Sequence, residues 1–146
     1  MLSRILHAFS APRPVPLPEP DEKLALGALM VRVAKSDRHY DLTEIKRIDR
    51  LLTRLFGLGP IEAAKMRALC ERLEHEAPDT ADFGHVIRES VRLEARLAAL
   101  EALWEVVLVD GESAPEELAV LDAAREAMGL SEADSMAAQA LARGQA

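Results

Sequence analysis

Sliding the chain along itself by 73 residues, the distance from Asp37 to Asp110, superimposes two stretches of one pattern. Val31-Arg-Val-Ala-Lys-Ser-Asp37 falls on Trp104-Glu-Val-Val-Leu-Val-Asp110. Glu44 then falls on Glu117, Ile45 on Leu118, Ile48 on Leu121 and Asp49 on Asp122. After one residue of slippage, Gly57-Leu58 matches Gly129-Leu130. Each copy reads as an apolar helix, an Asp at its end, a short turn, and a Glu in the first turn of the next helix. The repeat therefore demands two related helical hairpins, and 146 residues suit one domain containing both.

Residue usage agrees with helices. Aromatics make up 3% of the chain while 49% is hydrophobic, mostly Ala and Leu, which excludes a sandwich or barrel and supplies a helical core. The expected class is all-α, a bundle of about six to seven helices with the two hairpins around a buried central helix.

The helix boundaries are well marked. Leu24 to Lys35 is apolar apart from Arg32 and reads as a buried helix. Asp41-Leu-Thr-Glu44 has capping-box form and opens a helix to about Phe56, where Gly57 and Gly59 end it. Pro60 suits the first turn of the next, which stops before Pro78. Asp79-Thr-Ala-Asp82 opens another. Arg92 to Val109 is the most apolar long segment, with Glu94, Glu101 and Glu105 on one narrow stripe, and is expected at the centre. Ser113-Ala-Pro-Glu116 and Ser131-Glu-Ala-Asp134 open the last two helices.

Four segments follow. Residues 1–10 form a short amphipathic peptide, with Leu2, Ile5, Leu6 and Phe9 on one helical face. Residues 11–20 hold five of the eight prolines and read as a stiff linker. Residues 21–142 form the helical body, and residues 143–146 a frayed tail. Arg4 and His7 interrupt the first apolar run, so MLSRILHAFS does not read as a secretory leader. Its apolar face suits folding back, a protein partner, or weak peripheral membrane contact. The single cysteine, Cys70, forbids an intramolecular disulfide and reads as a small buried hydrophobe. A cytoplasmic location fits it.

Carboxylates gathered at two hairpin corners suggest a hard divalent cation held through oxygen, with Ca, Mg or Mn as the candidates. Asp110-Gly-Glu112 with Glu116 and Glu117 is the richer corner, and Asp37, Asp41 and Glu44 make the other. Neither has the alternating ligands of an EF-hand, and each alone offers too few, so a good site needs both corners to converge. The competing account is structural. Asp in a turn accepts backbone N–H bonds, and Glu in a first turn caps a helix and favours its positive end. The four histidines form no close pair and there is no Cys pair, so zinc is not indicated.

These same residues resemble the TerB-like family, the tellurite-resistance protein B group of bacteria, over about residues 21–142. The resemblance rests on Ala34-Lys-Ser-Asp37 with Glu44, on Phe56-Gly-Leu58, on Leu100-Glu-Ala-Leu-Trp-Glu105, on Val109-Asp-Gly-Glu112 with Glu117, and on Met128-Gly-Leu-Ser131. It points to the uncharacterised bacterial branch. It implies an all-helical domain of two related halves, with metal chelated by Asp37, Glu44, Asp110 and Glu117. It also implies a role in stress response, in membrane-linked complexes or in chaperone recruitment. The family usually has Gly after the first Asp, where this chain has Arg38. An arginine there is expected to weaken a cation at that corner or to replace it with an internal ion pair.

Charge divides the chain. Residues 1–99 hold 16 Lys and Arg against 15 Asp and Glu, and residues 100–146 hold 2 against 10. Lys46, Arg47, Arg50 and Arg54 form a basic stripe opposite Ile45, Ile48, Leu52 and Leu55, which reads as a solvated face laced with i, i+4 pairs. An acidic partner or a lipid headgroup layer would also suit it. A net charge of −7 and the lack of interleaved aromatics argue against nucleic acid. No paired nucleophile, positioned His base or phosphate-binding Gly loop is present, so the chain is not expected to be an enzyme. The expected function is a binding or adaptor domain with a protein partner and a cation at its acidic corners. The alternative is a co-chaperone-like scaffold without metal, its acidic residues acting as caps.

Overall fold

The computed structural model describes residue 17 and residues 20–77, 79–109 and 113–144. Residues 1–10 and nearly all of the proline linker lie outside them, as does Asp110. Seven α-helices make up the described chain: α1 Glu22–Lys35, α2 Leu42–Phe56, α3 Pro60–Glu76, α4 Thr80–Ser90, α5 Leu93–Val107, α6 Pro115–Ala127 and α7 Glu132–Gly144. Among the described residues there is no strand. α7 runs two residues past the expected body.

Local chemistry sets the boundaries. Asp21 Oδ1 accepts the Leu24 N–H at 2.8 Å and Asp79 Oδ1 accepts that of Ala81 at 3.1 Å, satisfying donors that a helix start leaves open. At α7 the cap is reciprocal: Asp134 N–H donates to Ser131 Oγ at 3.0 Å, and Ser131 N–H to Asp134 Oδ2 at 2.9 Å. α6 begins one residue later than its Ser suggests, because Ala114 occupies the cap position and Glu117 accepts the Ala114 N–H at 3.2 Å. Gly57 and Gly129, both left-handed, follow α2 and α6.

The repeat is visible in the helices themselves. α2 starts at Leu42 and α6 at Pro115, the same 73-residue shift. It also extends further than the sequence pattern: α3 packs along α1 as α7 packs along α5, so each unit has three helices. α4 joins the units and lies against α1 and α6.

The most enclosed helix is α1 rather than α5. From Ala25 to Val31 every α1 residue is buried, with α2 to α6 all packed around it. α5 buries only from Ala99 onward, and Leu93, Glu94 and Ala95 face solvent. Composition alone could not rank two apolar helices, since an Ala-rich face is tolerated in water. Arg32, the charge inside α1, reaches the end of α3. Its Nη2 donates to the carbonyls of Glu74 (2.8 Å) and Ala77 (2.7 Å), and its Nε to Glu74 Oε2 (3.2 Å). It thus satisfies carbonyls that the helix end leaves open. Glu105, at the equivalent place in α5, is buried and pairs with Arg54 of α2.

Candidate metal centre

The turn from α1 to α2 holds Asp37, and the first turns of α2 and α6 hold Glu44 and Glu117. Packing of the two units brings these three together. Each offers a carboxylate oxygen, and the three oxygens lie within 4.8 Å of one another. The two corners therefore converge, as a shared cation requires. Asp110, the fourth residue of the expected set, lies outside the described residues, as do Gly111 and Glu112.

The three carboxylates differ in what already occupies them. Asp37 is half-buried, and its Oδ1 accepts the His39 N–H at 2.9 Å, a bond that tightens the turn. Glu117 is buried and spends Oε1 on the Ala114 N–H. Both carry part of the structural role that the sequence allows. Glu44 does not. Its backbone N–H donates to Asp41 Oδ1 at 3.1 Å, but its buried Oε2 has no hydrogen-bond partner. The expected capping box is thus satisfied on its Asp side, while the Glu44 carboxylate points into the acidic cluster.

That placement is costly for an anion. Burial is the largest influence on Glu44, followed by repulsion from Asp37, Asp41 and Glu117. Together they push its carboxyl from 4.5 up to about 7. A buried, unpartnered carboxylate among like charges is what a divalent cation would relieve. The donor set also fits. Two oxygens held by one ion at about 2.4 Å can stand no more than about 4.8 Å apart, the calcium range.

The internal ion pair expected of Arg38 is not formed among the described residues. Arg38 is exposed, and its φ is +68°. Its backbone keeps a conformation that glycine adopts freely. The Arg54–Glu105 pair was not anticipated. Glu105 shares a helix face with Glu94 and Glu101, and its burial comes from the packing of α2 on its end of α5.

Cys70 is fully buried, and burial pushes its thiol up to about 12, consistent with its reading as a core residue. No described helix is long and apolar enough to cross a membrane. The family model described as tellurite resistance protein TerB matches residues 23–140. No curated protein and no solved structure matches the chain.

Proposed function

From the premise that the chain belongs to the TerB family, we propose that it is a non-enzymatic binding module that takes a divalent cation at its acidic corners. The observation that carries this reading is the buried Oε2 of Glu44, without a hydrogen-bond partner and beside Asp37 and Glu117. Bound there, the ion would supply positive charge that the site lacks and would tie the α1–α2 turn to the start of α6. Asp110 would join the same set. Calcium, magnesium and manganese share the required preference for oxygen. A cation-dependent tie between the two halves fits an adaptor that presents its surface to a protein partner in the cytoplasm, in stress response of the tellurite-resistance type.

A second reading has its own support. The Glu117 bond to Ala114 and the Asp37 bond to His39 are cap and turn bonds that need no metal. On that reading the domain is a scaffold, and replacing these acids lowers stability by about 0.5–2 kcal/mol each without altering any binding. It leaves the position of Glu44 without a purpose.

Calorimetry separates the two. Calcium, magnesium and manganese are titrated into the wild-type chain and into the Asp110→Asn/Glu117→Gln double variant. The expected result is heat of binding for at least one ion in the wild type, at least tenfold weaker in the variant. No heat above the variant at millimolar ion overturns the cation reading.

A further inference from the structure

The first half of α5 is only partly covered, although it is apolar. From Leu93 to Ala98 none of its residues is buried. Two adjoining faces of this stretch border concavities. Ala95 and Ala99, with Glu22 and Lys23 at the start of α1, line one of about 260 Å³. Leu97, with Ala137 and Leu141 of α7, lines a second of about 370 Å³ between α5 and α7. The second groove has an apolar floor that meets solvent, since Ala137 and Leu141 are exposed. The charged residues that line it, Glu94, Glu101 and Asp134, are all acids.

The chain carries a segment that complements this groove. In residues 1–10, Leu2, Ile5, Leu6 and Phe9 stand at the i, i+3, i+4 and i+7 positions from which an amphipathic helix anchors itself in an apolar groove. The same segment holds Arg4 and no acid. Glu101 already interacts with Arg54, which leaves Glu94 and Asp134 to receive Arg4. Lengths agree as well: ten helical residues span about 15 Å, and α5 covers about 11 Å from Glu94 to Glu101. The tether reaches. Residues 11–20 extend up to about 31 Å as a polyproline-type spacer. Leu17 packs against the core, so the spacer touches the body there. It joins α1 at Glu22 and Lys23, which share a cavity with α5, and the groove lies on the next face of that helix, about 10 Å around it. A tether this short holds its segment at roughly millimolar local concentration, which favours it over a second copy of the chain at micromolar concentration.

We infer that the groove between α5 and α7 is the docking site of the chain's own residues 1–10, which enter it as a short helix with Arg4 against Glu94 and Asp134. Docked there, the segment covers an apolar surface of the second repeat unit, and its release opens that surface. The groove is separate from the acidic corner, since none of the residues lining it is a candidate metal ligand.

The test is run on the full chain in EDTA, so that failure of the cation site cannot influence it. A nitroxide is attached through Ser10→Cys, and Cys70 escapes the label because it is fully buried. Amide signals of residues 94–101 and 134–141 should lose most of their intensity to the nitroxide. Leu141→Asp, a change at an exposed position, should restore them with an unchanged unfolding midpoint. Leu6→Asp/Phe9→Asp, which leaves the helical body untouched, should restore them too. Labelled chains mixed with unlabelled, isotope-enriched ones at micromolar concentration should show no loss. Intensity loss that is absent, that is confined to residues around the cavity between α1 and α5, or that survives both variants overturns the docking site. Equal loss in the mixed sample overturns it in favour of a second copy. Capture of the chain by phosphatidylglycerol vesicles, with no intramolecular loss in their absence, overturns it in favour of a membrane surface.

Discussion

Glu44 and Glu117 occupy the same place in the two repeat units, and their carboxylates come within 4.8 Å of each other between the units. Neither stands at a solvated corner, since both are buried. The duplicated unit therefore meets its copy through like charges at this point, and much of the chemistry of the domain follows from that.

The first consequence is a pH dependence. Glu44 titrates near 7 in the folded chain against an ordinary 4.5. For a carboxyl with a raised folded value, the stabilising contribution is complete below the unfolded value and is lost as pH rises through the folded one. In EDTA, wild-type stability should therefore fall between about pH 5 and pH 8 relative to Glu44→Gln. At pH 8 the Gln variant should be the more stable by ~1–3 kcal/mol and should gain nothing from added calcium. Denaturant unfolding of both proteins across that range measures the difference. A constant difference would contradict the assignment.

Arg38 gives a second prediction, on stability alone. A non-glycine residue at φ +68° costs ~1–2 kcal/mol, and glycine gives back part of the gain through its freer unfolded chain. Arg38→Gly should stabilise the domain by about 0.5–1 kcal/mol, read as a raised thermal midpoint. An unchanged or lowered midpoint would mean that the arginine side chain contributes more than its exposed position suggests.

Much of this architecture was legible in the sequence because helix ends are written locally. Asp21, Asp79 and Ser131 cap the helices they precede, and Gly57 and Gly129 close the ones they follow. The convergence of Asp37, Glu44 and Glu117 was legible through the repeat, because equivalent residues of two packed copies can meet at their interface. Other features depended on tertiary packing. The third helix of each unit shares too little local pattern to reveal the relation of α3 to α7. The orphaned Oε2 of Glu44 was equally hidden, since Asp41 and Glu44 have the spacing of a completed capping box. Whether a Glu returns to its cap or turns inward is decided by what packs above it.

Close packing of α1 on α3 yields a third prediction. A Cβ built on Gly27 would stand 2.3 Å from Cys70 Sγ, and Cys70 is fully enclosed. Gly27→Ala should destabilise by ~1–3 kcal/mol through overpacking. Adding Cys70→Ala removes the obstructing sulfur, so the two substitutions should be clearly non-additive. Additive losses in a double-mutant cycle would show that the helices separate rather than clash.

The Arg54–Glu105 pair gives a fourth. Glu105 is buried and Arg54 is 46% exposed at its side chain, so solvent already screens the cation. Arg54→Met should cost about 1–3 kcal/mol, mainly by leaving a buried carboxylate unpaired. Arg54→Met/Glu105→Met should recover most of that loss, because two apolar side chains need no partner there. Chemical denaturation of the three variants checks both statements.

The single tryptophan, Trp104, is buried on α5, and its indole N–H donates to Ser135 Oγ of α7 at 3.0 Å. The only indole of the chain is thus bonded to the helix that completes the second unit. Its emission acts as a built-in optical gauge of α7 docking. Release of that helix would wet the indole while the tightly enclosed α1 stayed dry, separating detachment of the last helix from melting of the core.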